Sequence, residues 1–282
     1  MIHSIDPAAC TGCGTCTKTC PLDVFRLEPA QEALSPCMAA CPAGVDIRGN
    51  HYLIQQGHLG EAARRYRSVQ PFPAITGRVC FHPCEKKCAR NHVDEAVNIN
   101  AVEQIIGDWD LKVPLEKPAR RHITKVAVIG SGPAGLSCAW FLAQMGYPVT
   151  VFEAMPLPGG MLRYGIPAYR LPDAIVAAHI ARLEAMGIAF RCNTKIGEDA
   201  DLSLSDLKRL GFKAVMLAPG TTVSRKVHME GVELPGVHWG LEFLRANRGD
   251  EQPRLSGDVL VIGGGDVAVD AAITAKRLGA AK

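Results

Sequence analysis

The stretch KVAVIGSGPAGLSCAWFLAQMGYPVTVFE, residues 125–153, decides the fold of this 282-residue chain. An apolar run enters a glycine-rich turn, a helical segment follows, and a second apolar run ends at Glu153. Strand, helix and strand in this order predict two parallel strands joined by a crossover helix. Two further apolar runs that end in glycine, KAVMLAPG and GDVLVIGGG, repeat the pattern. We therefore expect an α/β fold with a doubly wound parallel sheet.

The turn itself, Gly130 to Gly135, has the GxGxxG spacing of dinucleotide-binding proteins. The first glycine permits the tight turn, the second lets the backbone approach a pyrophosphate, and the third packs the helix on the strand. The phosphates would lie at the positive end of the helix. Glu153 follows Gly135 by eighteen residues, where an acid can bind ribose hydroxyls. A glycine-rich turn without a ligand is the alternative, and the strand–turn–helix context weighs against it.

A second turn of this kind, Gly263-Gly264-Gly265-Asp266, follows another apolar run. Two such turns imply two dinucleotides, and a flavin with a nicotinamide is the usual pair. Only 27 residues run from Ser256 to Lys282, which is too few for the second strand of a mononucleotide-binding half. We therefore expect the nicotinamide site to be incomplete and the chain to be truncated at its C-terminus.

Eleven cysteines are the outstanding feature of the composition, and nine of them lie within the first 88 residues. The run Cys10-x2-Cys13-x2-Cys16-x3-Cys20-Pro has the spacing with which bacterial ferredoxins hold a [4Fe–4S] cluster. Its fourth cysteine normally serves a second cluster. A zinc knuckle usually has two cysteine pairs in place of this triplet.

A further group of cysteines offers a place for that second cluster: Cys37, Cys41, Cys80, Cys84 and Cys88. Their spacing alone would also suit zinc or buried free thiols. Two clusters with four ligands each would leave one of the nine cysteines spare, and the spacing does not identify it. Cys138 and Cys192 stand apart, and we expect them to be small core residues.

The composition changes along the chain and predicts four parts. Residues 1–32 form the ferredoxin-like cysteine segment, and residues 33–118 form a small helical iron–sulfur domain with two stretches of amphipathic helical pattern. Residues 119–255 form the first part of an FAD-binding domain, and residues 256–282 form the start of an NAD(P)-binding domain.

Charge and hydropathy exclude several classes of protein. The net charge of +3, without runs of Lys or Arg, gives no reason to propose nucleic acid or an anionic membrane as a partner. The first residues lack a basic segment followed by an apolar core, so we expect no secretory signal. The apolar stretch 126–147 is interrupted by the glycine turn, which argues against a membrane helix. Cysteines grouped for metal ligation suit a reducing compartment, and we expect a cytoplasmic protein.

On these motifs the chain resembles the flavin-bearing small subunit of bacterial glutamate synthase and the N-terminal half of dihydropyrimidine dehydrogenase. The resemblance covers about residue 33 to the C-terminus. It rests on six stretches: SPCMAACPAGVDI, GRVCFHPCEKKC, KVAVIGSGPAGLSCA, FEAMPLPGGMLRYGIPAYRLP, MLAPGT and VLVIGGGDVAVDAA. It implies a helical cluster domain and two nested dinucleotide domains. In that family the FAD domain resumes after the nicotinamide domain, which again implies a truncated or split chain.

The resemblance also implies which residues contact the cofactors. The FAD contacts would be Gly130, Gly132, Pro133, Ala134, Gly135, Glu153, Gly160, Met161, Arg163, Ile166, Ala218 and Gly220. The pyridine nucleotide contacts would be Gly263, Gly264, Gly265, Asp266 and Ala268. In dihydropyrimidine dehydrogenase a glutamine side chain ligates one cluster, and Gln104, or Glu103 beside it, stands at about that place. The family's cysteines before Cys37 are absent here, so the ferredoxin-like run is either an extra module or their replacement.

The motifs and the resemblance together predict an oxidoreductase that passes electrons between NAD(P)H, FAD and two [4Fe–4S] clusters. The electrons would continue to a redox partner protein or a larger catalytic subunit. FAD is needed because nicotinamide gives two electrons and clusters accept one at a time. The cofactors carry this chemistry, so no catalytic side chain is assigned. Two alternatives stay open: a non-catalytic electron-transfer or scaffold subunit without a working nicotinamide site, and a zinc-stapled flavoprotein.

Overall fold

The computed structural model describes residues 34–248 and 254–282, in two compact units that divide between Lys112 and Val113. Each unit has its own buried core. The predicted ferredoxin-like run Cys10–Cys20 lies outside the described residues. No helix in the described ranges is both long enough and apolar enough to cross a lipid bilayer.

The first unit consists of short helices over its described residues. They are α1 Pro36–Ala39, α2 Ile47–Gln55, α3 Leu59–Val69, α4 Pro73–Val79, α5 Pro83–Lys86 and α6 Ile99–Asp110, with a 3-10 turn at Ala89–His92. Proline begins α1, α4 and α5, where its fixed φ suits the helix and its missing N–H is not needed. The first of the two stretches of predicted amphipathic helix, residues 49–69, is divided into α2 and α3 near Gly57, which has a φ of +79°. A residue with positive φ cannot continue a right-handed helix.

The core of the first unit lies between α2, α3 and α6. Tyr66 on α3 is fully buried in it. Helices α4 and α6 approach closely, because a Cβ on Gly77 would lie 2.5 Å from the Gln104 backbone. A Cβ on Gly107 would likewise lie 2.2 Å from the Ala74 amide nitrogen. The packing of these two helices therefore depends on glycine at both positions.

The second unit contains a four-stranded parallel sheet in the order β3-β2-β1-β4. The strands are β1 Lys125–Ile129, β2 Val149–Phe152, β3 Ala189–Arg191 and β4 Phe212–Leu217. The helices are α7 Pro133–Gln144, α8 Met161–Tyr164, α9 Asp173–Ala185, α10 Leu204–Arg209, α11 Gly240–Ala246 and α12 Asp266–Arg277. From β1 the chain adds β2 and β3 on one side and then β4 on the other, which is the reversal typical of a doubly wound sheet. The predicted α/β fold class is confirmed.

One predicted strand is absent from the described residues. The run GDVLVIGGG predicts a strand before the second glycine turn, but residues 257–263 contain none. Leu260 and Ile262 in this run are 88% and 73% exposed. A strand needs a neighbouring strand to satisfy its backbone groups, and the described residues place none beside it. The helix of the motif, α12, forms nevertheless and packs on α11.

Candidate functional site

The first glycine turn lies at the carboxyl end of β1, beside the end of β4, where the strand order reverses. Gly130 has a φ of +100°, and a Cβ there would lie 2.1 Å from the Ala218 carbonyl oxygen. A Cβ on Gly135 would lie 2.0 Å from the Gly130 carbonyl oxygen. These are the tight turn and the close helix–strand contact expected of the first and third glycines. At Gly132 a Cβ would meet no described atom within 4 Å, so this side of the backbone is open to a ligand.

Helix α7 starts from this turn, with Gly132 as its N-cap and Pro133 as its first residue. Because Gly132 has no side chain, it cannot accept hydrogen bonds from the N–H groups of the first helical turn, such as that of Ala134. The positive end of the helix is therefore available to an anionic group such as a pyrophosphate.

Glu153, at the end of β2, is buried and bonded to the glycine turn. Its Oε2 accepts hydrogen bonds from the Ser131 N–H at 3.0 Å and from the Ser131 hydroxyl. Among the described residues, its Oε1 accepts one hydrogen bond, from the Met155 N–H at 2.9 Å. A carboxylate oxygen can accept two, so Oε1 keeps capacity for a ribose hydroxyl.

Ser131 also fixes the segment that follows β2. Its hydroxyl accepts a hydrogen bond from the Gly159 N–H at 2.9 Å while donating to Glu153. A Cβ on the neighbouring Gly160, which has a φ of +51°, would lie 2.7 Å from the Gly132 Cα. The sequence does not identify Ser131, because it occupies an unspecified position of the GxGxxG pattern. The structure shows that it joins three parts of the candidate site.

The remaining residues predicted near FAD lie in α8 and just after it. Met161 begins α8, and its Cε would lie 2.0 Å from a Cβ placed on Gly165. Ile166 is half-buried and donates its N–H to the Met161 carbonyl at 3.0 Å. The Arg163 Nε donates to the Pro158 carbonyl at 2.9 Å. Arg163 thus holds the shape of its own segment.

The turn after β4 closes the other side of the candidate site. The Ala218 N–H donates to the Ile129 carbonyl at 2.8 Å, which extends the pairing of β4 with β1 as far as the first glycine turn. Gly220 lies two residues further on, is exposed, and has a φ of +67°. This turn is therefore tied to the sheet at Ala218 and open to solvent at Gly220.

The second glycine turn is exposed and precedes α12 directly. Gly263 has a φ of +131°, and a Cβ there would lie 3.5 Å from the Ala268 Cβ. At Gly264 and Gly265 a Cβ would meet no described atom within 4 Å, and Asp266 begins the helix. The local turn and helix are thus present, although the preceding strand is not.

Asp270 joins α12 to the segment after α8. Its carboxylate accepts hydrogen bonds from the Arg170 guanidinium at 2.8 Å and the Tyr169 hydroxyl at 3.1 Å. The Arg277 guanidinium lies 4.0 Å from the centre of the Tyr169 ring. The helix of the second dinucleotide motif is therefore held to residues that lie shortly after Ile166, a predicted flavin contact.

The surroundings of the described cysteines of the first unit distinguish two groups, although Cys37 and Cys41 both pack against the core that contains Cys84. Burial is the main cause that raises the pKa of the Cys84 thiol to about 11, and negative charge on Cys41 and Cys80 contributes. Burial also raises the pKa of Cys80, again with a contribution from Cys41, so these three thiols are electrostatic neighbours. Cys37 and Cys88 instead line a cavity of about 540 Å³. Spacing along the chain could not have shown this division.

A mononuclear metal site and an iron–sulfur cluster place their cysteine ligands differently. Within residues 34–248 and 254–282, no three His, Cys, Asp or Glu side chains converge as a mononuclear site requires. In a [4Fe–4S] cubane each cysteine binds a different iron, so the ligands surround the cluster and do not meet at one point.

Of the two residues offered as a non-cysteine ligand, Glu103 is held in place by hydrogen bonds from neighbouring side chains. Its carboxylate accepts hydrogen bonds from the Gln70 side-chain amide at 2.7 Å and from the Thr76 hydroxyl. Its negative charge contributes to the raised pKa of Cys80. Burial raises the pKa of Glu103 itself, while the bonds from Thr76 and Gln70 lower it. The backbone of Gln104 packs on α4, as described above, and both residues stay candidate ligands.

His82 occupies a strained backbone position next to Cys80. Its φ of +38° is uncommon for a residue other than glycine. In this conformation the His82 N–H donates to the Cys80 sulfur at 3.3 Å, and Nδ1 lies 2.8 Å from the Cys80 carbonyl oxygen. Amide donors to ligand sulfurs are typical of iron–sulfur sites. The strain therefore aims a backbone donor at a candidate ligand.

Comparison with known proteins identifies the family. Residues 124–281, more than half of the chain, match the model of the pyridine nucleotide-disulphide oxidoreductases. The chain belongs to this family. In this pyridine nucleotide-disulphide oxidoreductase, residues 31–114 match the 4Fe-4S cluster domain II of dihydropyrimidine dehydrogenase, and residues 3–26 match a 4Fe-4S binding domain.

Three relatives illustrate the similarity. This family member is 38% identical over 271 residues to NADPH-Fe(3+) oxidoreductase subunit beta of Geobacter sulfurreducens, covering 92% of this chain and 39% of that protein. It is 35% identical to NAD-dependent dihydropyrimidine dehydrogenase subunit PreT of Salmonella typhimurium, covering 87% and 60%. It is 36% identical to the glutamate synthase [NADPH] small chain of Bacillus subtilis, covering 90% and 57%. The chain thus spans 39% to 60% of the length of these curated relatives.

These matches confirm the predicted resemblance and the oxidoreductase class. At the level of the family they also confirm [4Fe–4S] clusters, FAD and NAD(P)H as the cofactors of this pyridine nucleotide-disulphide oxidoreductase. All three relatives carry names of subunits or chains of larger enzymes. The individual cofactor ligands and the four domain boundaries stay predictions.

Proposed function

We propose that this protein is an iron–sulfur flavoprotein that passes electrons between NAD(P)H, FAD, [4Fe–4S] clusters and a redox partner. The observation that carries the proposal is the combination, in one chain, of an open dinucleotide turn at Gly132 with two groups of buried or half-buried thiols. Bound FAD would supply the conversion between two-electron nicotinamide chemistry and one-electron cluster chemistry.

The residues of the dinucleotide site would act by position. The turn at Gly132 would receive the pyrophosphate at the start of α7, and Glu153 would bind the ribose through the free capacity of Oε1. Ser131 would keep Glu153 and the Gly160 segment at the distances that both contacts need. The other FAD contacts in this proposal are Gly130, Pro133, Ala134, Gly135, Met161, Arg163, Ile166, Ala218 and Gly220. NAD(P)H would bind at the turn formed by Gly263, Gly264, Gly265, Asp266 and Ala268.

The cysteine groups would hold separate clusters. Cys41, Cys80 and Cys84, with Glu103, would supply four ligands to one cluster. Cys37 and Cys88 would supply two ligands to another at the cavity that they line. The other two ligands of that cluster would come from the predicted set Cys10, Cys13, Cys16 and Cys20. The buried surroundings would keep water from the clusters and lower the local dielectric constant, both of which affect the reduction potential.

A partner subunit would exchange electrons with the clusters. The named relatives are subunits of enzymes with different substrates, an iron(III) reductase, a dihydropyrimidine dehydrogenase and a glutamate synthase. The region that these relatives share with this chain would therefore take up electrons from the nucleotide, and the partner subunit would determine the substrate.

The test is the metal and flavin content of the full chain after anaerobic purification, followed by NADPH and NADH oxidation with an artificial one-electron acceptor. We expect at least about eight iron with matching sulfide, one FAD, and steady oxidation of one nucleotide. Clusters and FAD without nucleotide oxidation would favour the scaffold alternative, and zinc in place of iron would overturn the proposal.

A pair of cysteine variants makes this test specific. Cys84→Ser should lose up to about four iron per chain, because it removes one of the thiolate ligands of a cubane. Cys138→Ser is the matched control, since Cys138 lies on α7 in the second unit, outside both groups of thiols. Equal iron content in the two variants would contradict the assignment of Cys84.

A further inference from the structure

The Tyr66 hydroxyl is a buried polar group that has no hydrogen-bond partner in the described part of the chain. Tyr66 lies on α3 with Ala62 and Ala63, on the face that packs into the core of the first unit. The residue is fully buried. Burying a hydroxyl without a partner is unfavourable, whereas phenylalanine would fill nearly the same space without that cost. A bound group that accepts a hydrogen bond would explain why a tyrosine hydroxyl is buried at this position.

The groups around this hydroxyl are those assigned to one cluster. Tyr66 and Cys84 belong to the same buried core, and Cys41 packs against it. Burial raises the pKa of Tyr66, and negative charge on Glu103, Cys41 and Cys84 adds to the shift. A tyrosine hydroxyl is a donor at neutral pH, and ionised thiols in the same core accept hydrogen bonds.

We propose that Tyr66 donates a hydrogen bond to the sulfur ligands of the cluster held by Cys41, Cys80 and Cys84, and that it raises the reduction potential of that cluster. The inference rests on the function proposed above. Reduction adds negative charge that spreads over the cluster and its ligand sulfurs. A donated hydrogen bond stabilises this charge more in the reduced form than in the oxidised form.

Tyr66 is also the donor at this site that a conservative substitution can remove by itself. The bond from His82 to the Cys80 sulfur comes from the backbone N–H, so it persists when a side chain is changed. Tyr66→Phe removes one hydroxyl and keeps the ring that fills the core. A change in potential would therefore report the hydrogen bond and not a cavity.

The experiment is an anaerobic redox titration of the full chain, followed by electron paramagnetic resonance. In Tyr66→Phe we expect the midpoint potential of one cluster to become more negative, with the other cluster unchanged. At the wild-type midpoint the ratio of reduced to oxidised cluster should fall up to about tenfold, equivalent to about 59 mV for a one-electron couple. Tyr147→Phe is the matched control, because Tyr147 lies in the second unit, stacked on His122, and should leave every midpoint unchanged.

Iron and sulfide are measured on each protein first. A wild-type chain without clusters would refute the proposed function. Wild-type cluster content in Tyr66→Phe with unchanged midpoints would overturn only the role of Tyr66.

If the Tyr66→Phe protein loses iron, the hydrogen bond is tested instead in a protein that keeps Tyr66. Ring-deuterated tyrosine would be introduced into a Tyr52→Phe background, because Tyr52 lines the cavity of the other group of thiols. Deuteron couplings to a reduced cluster are then expected from Tyr66. Their absence would overturn the inference.

Discussion

Replacing Ser131 by alanine tests how the dinucleotide site is held together. The Ser131 hydroxyl is fully buried, donates to the Glu153 carboxylate and accepts from the Gly159 N–H. A hydrogen bond to a charged group contributes about 1.5–3 kcal/mol and one to a neutral amide about 1 kcal/mol. Glu153 keeps its bond to the Ser131 N–H in the variant. We therefore expect Ser131→Ala to lower the free energy of unfolding of the second unit by about 3 kcal/mol.

The assay is thermal unfolding without added FAD, with FAD affinity measured separately. A loss of about 3 kcal/mol corresponds to a decrease of roughly 6–12 °C in the melting temperature of a unit of this size. FAD should also bind more weakly, because Gly159 would no longer be held beside the glycine turn. Ser205→Ala is the control, since Ser205 is exposed and its hydroxyl bonds only to Ser203 among the described residues. Its effect should stay within about 0.5 kcal/mol, and equal stability of the two variants would refute the reasoning.

Two further predictions concern the second unit. Asp270→Asn should lower the free energy of unfolding by about 2 kcal/mol. This is less than the loss expected for a fully buried ion pair, because the Arg170 side chain is 35% exposed. An unchanged denaturation curve would contradict this prediction. Hydrogen bonds from Ser203 lower the pKa of Asp206, so Ser203→Ala should raise that pKa toward its ordinary value in an NMR titration. The pKa of Asp206 is lower in the folded chain than in the unfolded chain. The stabilisation of the folded chain by this group is therefore present above the ordinary carboxyl pKa and is lost as the pH falls through the lowered value. An Asp206 titration that does not shift in Ser203→Ala would rule this out.

The glycine turns were predictable because their requirements are local. Gly130 and Gly135 are needed wherever a strand turns directly into a helix, since a Cβ at either position would overlap a carbonyl oxygen. Ser131 was not predictable, because its role depends on Glu153 and Gly159, which only the folded sheet brings near it. The GxGxxG motif specifies the positions at which the backbone requires glycine, and it does not specify which side chains hydrogen-bond to the turn.

Tertiary contacts explain the other differences between sequence and structure. The run at 257–263 has the composition of a strand, but a strand also needs a neighbour, which composition cannot supply. Helix α1, which carries Cys37, packs against α5, which carries Cys84, and Cys41 packs against the same core, so thiols that are distant in sequence come together. Spacing indicated the type of cluster, and packing determines which cysteines share a site.

The proposed path of electrons is tested most directly by the electron paramagnetic resonance spectrum of the anaerobic full chain, with FAD bound, after addition of NADPH or NADH. Dithionite serves as the reference that reduces the clusters without a nucleotide site. We predict that at least one nucleotide produces the reduced-cluster signal that dithionite produces. A signal with dithionite and none with either nucleotide would show that electrons do not pass from the nicotinamide site to the clusters in this chain.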